Sequence, residues 1–172
     1  MGWLVAGAVV ILLFGFAAFF GAPYVPSRKK YIDRAFRHLY ELGPRDVLVD
    51  IGSGDGVVLR AATRFGAKAI GYEINPVLVF VSRLLSLHQP LVTIIFANFW
   101  MAKLPDDTTV VYAFSVLRDN KRLIKKMQRE ADRLHHHLDL ICYASPLADI
   151  RPVGKYEAYY RYTFYPLQGK KA

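Results

Sequence analysis

The chain has 172 residues and a mass of 19.5 kDa; 53% of its residues are hydrophobic, yet Lys and Arg outnumber Asp and Glu by 23 to 14. This length suits one domain. The apolar content excludes a disordered chain, the lone Cys142 excludes a disulfide-stapled secreted domain, and the shortage of long uncharged runs excludes a polytopic transporter. We therefore expect one globular domain, with room for a single membrane anchor.

The anchor is predicted from an uncharged apolar run, Trp3–Ala22. As a helix, about twenty such residues span roughly 30 Å, the thickness of the hydrocarbon core of a bilayer. A cleaved signal peptide is the alternative, but no positive charge precedes the run, the run is long for a signal core, and Phe20, Ala22 and Pro23 make a poor cleavage site. We predict one transmembrane helix within residues 1–25 and a globular domain over 26–172.

Basic residues follow the apolar run at once. Five of them lie between Arg28 and Arg37 against one acidic residue, Asp33, so the positive-inside rule places the domain on the cytoplasmic side, or on the matrix side in an organelle. Next to a bilayer, such a cluster favours attraction to anionic lipid. A second stretch, Arg118–Arg133, carries seven basic and three acidic residues, and we interpret it as a solvated helix face in preference to a nucleic-acid or lipid contact.

The first helix of the domain is predicted after Ser27, which can cap it. Apolar residues then recur at helical spacing from Ile32 to Leu39, and Gly43 followed by Pro44 is expected to end the helix.

Short apolar runs rich in β-branched residues then alternate with helical stretches. The runs predict strands buried on both faces at Val47–Ile51, Ala69–Tyr72, Leu91–Phe96, Thr109–Phe114 and Leu138–Tyr143. The helices between them are expected from the glycines at 52–56 to near Gly66, from the cap Asn75 with Pro76 in the first turn, and over Asn120–Leu134. This alternation predicts an α/β fold with a doubly wound, mainly parallel sheet, and the period-two aromatics between Lys155 and Leu167 predict an antiparallel edge.

Ligands of such sheets bind at the carboxyl ends of the strands. There the sequence reads VLVDIGSGDG, in which Asp50 stands near the end of the first strand and Gly52, Gly54 and Gly56 follow at alternate positions. Residues 52–56, the glycine turn, let the backbone approach a ligand that a Cβ would hold off. A small cofactor is implied.

A second acid, Glu73, stands at the end of the second predicted strand, where it can accept both ribose hydroxyls of a nucleoside. The dinucleotide fingerprint GxGxxG needs a glycine where Val57 stands, and a carboxylate at Asp50 would repel a pyrophosphate but attract an ammonium. S-adenosylmethionine carries that ammonium and no phosphate.

At these residues the chain resembles the class I, seven-strand S-adenosylmethionine-dependent methyltransferases, which have a Rossmann-like fold. More narrowly, PYVPS ahead of the first helix, VDIGSGDG, GYEINP and the tripeptide Asn98–Trp100 are similar to the membrane-anchored protein-lysine methyltransferases. That family includes mitochondrial enzymes acting on the ATP synthase c-subunit and on the adenine nucleotide translocase, together with bacterial relatives. The resemblance covers about residues 23–143.

The resemblance implies S-adenosylmethionine as cofactor and assigns its contacts. The methionine part falls to Asp50 and to the glycine turn (Gly52, Ser53, Gly54 and Gly56), the ribose to Glu73, and one face of the adenine to Ile74. Asn98 stands where many relatives carry an Asp that accepts from the adenine amino group, and its side-chain carbonyl can still accept. Tyr24 lies in the segment that closes over the cofactor.

The substrate implied by the resemblance is a lysine of a membrane protein, at the bilayer surface. Methyl transfer needs the amine in line with the sulfonium and stripped of its proton, which a desolvated aromatic pocket favours. Trp100, Phe114 and Ser115, at the ends of the third and fourth strands, are the candidates for that pocket, with core packing or a capping hydroxyl as the alternative roles. The fourth strand ends in YAFSV and lacks the Asn/Asp-Pro-Pro-aromatic signature, so methylation of DNA adenine or of glutamine is not expected.

Two further features of the sequence, a histidine run and a cysteine, give weaker evidence of a functional site. The run His135–His137 lies at a helix end, where successive side chains diverge, so no metal site is expected. Cys142 lies in an apolar strand and is interpreted as core. No nucleic-acid partner is expected. The alternatives left open are a methyltransferase for a membrane quinone or lipid and a non-catalytic module that only binds S-adenosylmethionine, and the oligomeric state is not determined by the sequence.

Overall fold

The structure is a computed structural model that describes residues 29–114 and 119–167, together with Trp3. Within these ranges the helices are α1 (Lys29–His38), α2 (Val57–Thr63), α3 (Pro76–Leu85) and α4 (Asn120–Leu134). The strands are β1 (Val47–Ile51), β2 (Lys68–Glu73), β3 (Val92–Phe96), β4 (Val110–Phe114), β5 (Leu138–Tyr143), β6 (Gly154–Tyr156) and β7 (Tyr159–Phe164).

The strands form one sheet of seven in the order β3-β2-β1-β4-β5-β7-β6. β1 to β5 pair in parallel, and β7 runs antiparallel to both β5 and β6. The chain reverses its winding direction between β3 and β4, so the carboxyl ends of β1 and β4 flank a switch point, where ligands of open α/β sheets bind. The predicted doubly wound, mainly parallel sheet is therefore confirmed, and so is its antiparallel edge.

Both faces of the sheet are covered. On one face, α1 and α2 pack on the sheet through Phe36 and Leu59, and α3 adds Val79 to the same cluster. On the other face, α4 packs through Leu123 and Met127. The central strands are buried on both sides, as their unbroken apolar runs predicted.

The aromatic tail forms a hairpin, in which β7 lies against β5 and the three-residue strand β6 forms the edge. This hairpin also packs on α1. Arg34 of α1 forms an ion pair with Glu157 of the hairpin turn at 3.2 Å, and the His38 ring stacks on that of Tyr156 with centroids 5.3 Å apart. The first described helix and the last two strands thus form one packed unit.

The end of α1 differs from the prediction. The helix ends at His38, ahead of Gly43, because Glu41 adopts a left-handed conformation (φ 55°) and the Leu42 amide donates to the carbonyl of Phe36. This earlier turn buries Leu42. The cap of α3 is as predicted, because the Asn75 side chain accepts from the amides of Val77 and Leu78.

The predicted anchor lies, apart from Trp3, outside the described residues, as does the predicted cap Ser27. Among the helices in the described ranges, none is long and apolar enough to cross a bilayer. The transmembrane helix therefore stays a prediction.

Candidate functional site

The glycine turn leaves β1 and is held against the end of β2. The amides of Gly52 and Ser53 both donate to the carbonyl of Tyr72, at 2.8 and 3.0 Å. Gly52, Gly54 and Gly56 all have positive φ, at 88°, 54° and 81°, which side chains with a Cβ rarely adopt. A Cβ on Gly52 would meet no atom within 4 Å, so the backbone here borders open space.

Gly71, in the middle of β2, is a residue that the sequence analysis missed. A Cβ there would lie 2.5 Å from Ser53 Oγ and 2.6 Å from Leu59 Cδ1, so only glycine lets the turn and α2 close onto the sheet. An isolated glycine within a strand pattern is the signal that could have found it. Because the Ser53 side chain is buried towards Gly71, Ser53 can reach a cofactor through its backbone alone.

Glu73 fixes the shape of the turn. One carboxylate oxygen accepts from the Gly54 amide at 2.9 Å, and the other accepts from the amides of Ile74 and Asn75 at 2.9 and 2.8 Å. The side chain is 7% exposed. Since each carboxylate oxygen has two acceptor positions, the oxygen facing Gly54 can still accept from a ligand hydroxyl.

Asp50 lies beside Glu73 and is in a different situation. It is 4% exposed, and among the described residues no side chain or amide donates a hydrogen bond to its carboxylate. Its burial, and then the negative charges of Glu73 and Asp55, raise the pKa of Asp50 well above its ordinary value. Within the described residues the carboxylate therefore lacks a cationic partner.

These observations define the ligand that the site fits. A buried carboxylate that no described residue pairs with, the second carboxylate of Glu73 and an open backbone turn favour a compact cation and oppose a phosphate. The ammonium and sulfonium of S-adenosylmethionine have the required charge, and its ribose hydroxyls can donate to Glu73. The residues present thus fit this cofactor, and they do not fit a dinucleotide.

The predicted adenine contacts lie along the same edge of the sheet. Ile74 follows Glu73 and is exposed. Asn98 is also exposed, and its side-chain oxygen accepts from the Trp100 amide at 3.0 Å, so an adenine amino group would have to use that oxygen's second lone pair. Tyr24 lies outside the described residues.

An aromatic cluster lies further along the sheet, on the face that Asp50 shares with Tyr112. β1 and β4 pair Asp50 with Tyr112, and Phe114 is two residues on, about 6.6 Å further along the strand. The Phe114 ring lies 5.8 Å from that of Tyr143, which lies 4.8 Å from that of Tyr159. Phe114 and Tyr143 are half-buried, so they line an apolar rim beyond the carboxylate.

Tyr143 and Tyr159 are also absent from the predicted site. Tyr143 ends β5 as Phe114 ends β4, and that shared position is the signal that could have found it. Tyr159 could not be found in this way, because its place depends on how the tail pairs with β5.

Trp100 is not part of this cluster. Its ring packs on Phe99 with centroids 5.4 Å apart, beside the core on the α4 face, and the Arg122 guanidinium lies 4.3 Å from its ring centroid. Trp100 and Phe114 thus lie on opposite faces of the sheet. Ser115, the third predicted pocket residue, lies outside the described residues.

Cys142 and His135 are the other two residues considered from the sequence. Cys142 is fully buried in β5. His135 ends α4 in a left-handed conformation. Over residues 29–114 and 119–167, no group of three or more His, Cys, Asp or Glu side chains is arranged to hold a metal ion.

Comparison with known proteins agrees with this geometry. The ATP synthase c-subunit lysine N-methyltransferase of Homo sapiens is 34% identical over 113 residues, which are 64% of this chain and 47% of that protein. The adenine nucleotide translocase lysine N-methyltransferase of Mus musculus is 40% identical over 63 residues, 36% of this chain and 27% of that protein. The chain therefore spans half the length or less of these curated relatives.

A solved structure with the same fold is that of an RNA methyltransferase from Salinibacter ruber in complex with S-adenosyl-L-homocysteine. It is 25% identical, covers 86% of this chain and 98% of its own, and has a TM-score of 0.75. Residues 50–153, from the first acid of the site to the last hairpin, match the family described as the ANTKMT methyltransferase domain. Because this match covers more than half of the sequence, the chain belongs to the ANTKMT methyltransferase domain family.

Proposed function

We propose that the protein is a membrane-anchored, S-adenosylmethionine-dependent methyltransferase that N-methylates a lysine of a membrane protein. The observation that carries the cofactor assignment is the buried Asp50 carboxylate, which has no partner in the described part of the chain and adjoins the open backbone of Gly52. The uncharged run Trp3–Ala22 and the basic residues after it support the anchor, with the domain on the cytoplasmic or matrix side.

When bound, S-adenosylmethionine supplies an activated methyl group on its sulfonium. Asp50 provides the negative charge for the methionine ammonium, and the free acceptor position of Glu73 takes a ribose hydroxyl. Both carboxylates are held by β-strands of the central sheet, so the cofactor is oriented by rigid elements.

The chain acts on the amine of the substrate lysine by reducing the water around it. The Phe114 and Tyr143 rings, 5.8 Å apart, would limit water around a bound amine, which disfavours the ammonium form and helps a lysine to lose its proton. No general base is required, because water can take the proton before the amine enters. Lysine is chosen as the substrate class because the two relatives compared are named lysine N-methyltransferases.

The test is transfer of label from tritiated S-adenosylmethionine to membranes incubated with the full-length protein. We expect the label in a protein band, and as methyllysine after acid hydrolysis. Label that extracts into organic solvent would assign the enzyme to a quinone or lipid, label in RNA would assign it to nucleic acid, and cofactor binding without any transfer would identify a non-catalytic module.

The control is Asp55→Asn, which changes a carboxylate in the same turn that already has partners. Asp55 accepts from the Val57 amide at 3.1 Å and pairs with Arg60 at 3.5 Å. We expect transfer to survive this substitution and, at sub-saturating cofactor, to fall strongly in Asp50→Asn.

A further inference from the structure

An open groove of about 440 Å³ lies between the turn that follows β3 and the outer face of α4. We call it the basic groove. Apart from one aromatic ring its lining is entirely cationic, and the residues are Trp100, Lys121, Arg122, Lys125, Lys126 and Arg129. It lies on the α4 side of the sheet, away from the Phe114 cluster.

Most of this charge is not neutralised by the described residues. Lys126 is paired with Glu130 at 2.8 Å and also donates to the Ala102 carbonyl. Lys121, Lys125 and Arg129 are exposed, and within the described residues no carboxylate lies within ion-pair distance of any of them. Cations this close together repel one another, so an anion in the groove would be stabilised.

The spacing of the cations indicates the size of the anion. Lys121, Lys125 and Arg129 recur every four residues on one face of α4, so the row is about 12 Å long. One phosphate cannot contact all of it. The row matches a surface that presents several phosphates side by side.

The rim of the groove favours a bilayer over a nucleic acid. Met101, next to Trp100, is 84% exposed, and apolar and Trp side chains beside cations are typical of proteins that lie in the membrane interface. The Arg122 guanidinium already covers a face of the Trp100 ring, which removes the open aromatic platform that unpaired bases stack on.

We infer that the basic groove docks on the phosphates of anionic phospholipids. The sequence alone favoured a solvated helix face here, and the gathering of the row around Trp100 is what changes that interpretation. Docking would set the orientation of the domain, because the groove begins at the turn that also carries Asn98. The inference does not depend on which group is methylated.

The experiment uses the full chain with Trp3→Phe, so that Trp100 is the remaining one of the two tryptophans. The protein is placed in vesicles of phosphatidylcholine, alone or with one-third phosphatidylglycerol, both containing a lipid with a spin label on its headgroup. We expect stronger quenching of Trp100 emission with phosphatidylglycerol, and loss of the difference at high salt because the attraction is screened.

Lys121→Glu with Lys125→Glu should abolish that difference. Each cation near an anionic surface changes the docking equilibrium about fivefold, so the pair should weaken docking by roughly 25-fold or more. Glutamate is a good helix former and suits the first turns of α4, so the fold is retained. The matched control reverses two exposed arginines outside the groove, Arg45 and Arg151, and should leave the quenching unchanged.

Three results would overturn the inference. One is equal quenching in the two kinds of vesicle, and another is an equal loss in the control variant. The third is tight binding of a fluorescent single-stranded RNA that the groove variant loses, together with Trp100 emission that does not change with lipid composition. That result would assign the groove to nucleic acid.

Discussion

Replacing Asp50 with asparagine should stabilise the protein and weaken cofactor binding at the same time. The change keeps the shape of the side chain and removes a buried charge that no described residue neutralises. An unsatisfied buried polar group costs about 1–3 kcal/mol, and a charged one more, so we expect the free energy of unfolding to rise by about 2 kcal/mol at neutral pH. For a domain of this size that raises Tm by about 4–8 °C.

The gain should depend on pH, with a defined sign. Burial, then Glu73 and Asp55, raise the pKa of Asp50 in the folded protein, so the folded state holds this proton at a pH at which the unfolded state has released it. The contribution of Asp50 to the free energy of unfolding is fully present below its ordinary pKa of 3.8 and is lost as pH rises through the folded-state pKa. The advantage of Asp50→Asn should therefore vanish near pH 4 and be full above the folded-state pKa.

Binding should change in the opposite direction. The variant loses the carboxylate that receives the ammonium, a charge-assisted contact worth about 2 kcal/mol, so Kd for S-adenosylmethionine should rise about 30-fold. In the wild type, affinity should increase with pH as Asp50 ionises, and the variant should lack that dependence.

Urea unfolding at several pH values, together with calorimetric titration of the cofactor, measures both effects. Asp55→Asn is the matched control, because it removes a carboxylate that already has partners, and it should cost up to about 1 kcal/mol of stability with little effect on Kd. If Asp50→Asn were destabilising, the carboxylate would have a partner in the free protein, and the reasoning would be wrong.

The remaining predictions concern the turn, the α4 network, the pocket and the anchor. A Cβ at Gly56 would lie 2.3 Å from Ser82 Oγ, so Gly56→Ala should lower the free energy of unfolding by about 1–3 kcal/mol. A Cβ at Gly52 faces open space, so Gly52→Ala should cost only about 1 kcal/mol by urea unfolding and yet weaken cofactor binding. Burial alone would raise the pKa of Glu130, but hydrogen bonds from Lys126 and Arg133 lower it below 4.5 in the folded protein. Glu130→Gln should therefore lower the free energy of unfolding by about 1–2 kcal/mol at neutral pH, and acid titration of unfolding should show this loss vanish below the folded-state pKa of Glu130. Phe114→Ala should lower methyl transfer to a lysine peptide in a single-turnover assay while calorimetry shows cofactor binding unchanged; weakened binding would place Phe114 at the cofactor instead. Deleting residues 1–22 should reduce methylation of a membrane-embedded substrate far more than that of a detached peptide, and equal losses would contradict a targeting role for that segment.

Much of the fold follows from the sequence. The five parallel strands appear as short apolar runs, and their observed bounds differ from the predicted ones by at most one residue at either end. The proximity of Asp50 and Glu73 also follows, because both stand at carboxyl ends of adjacent parallel strands. Periodicity and strand order are sufficient for these features.

The features that could not be predicted depend on which face of the sheet a residue beyond a strand points to, and on packing between distant segments of the chain. Trp100 comes after β3, in a turn that no longer keeps the strand's alternation, so the sequence could not tell that it faces α4 while Phe114 faces the opposite side. The end of α1 at His38, followed by the left-handed Glu41, depends on burial of Leu42, which overrides the glycine signal at Gly43.

The packing of the terminal hairpin on α1 has a consequence for biosynthesis. Arg34 and Glu157 are 123 residues apart in the chain, and the His38–Tyr156 stack joins the same two elements. Since a chain is made from its amino terminus at about 5–20 residues per second, α1 must wait several seconds or more for its last neighbours. During that interval the domain cannot close, and the apolar run Trp3–Ala22 has been made well before the fold behind it is complete.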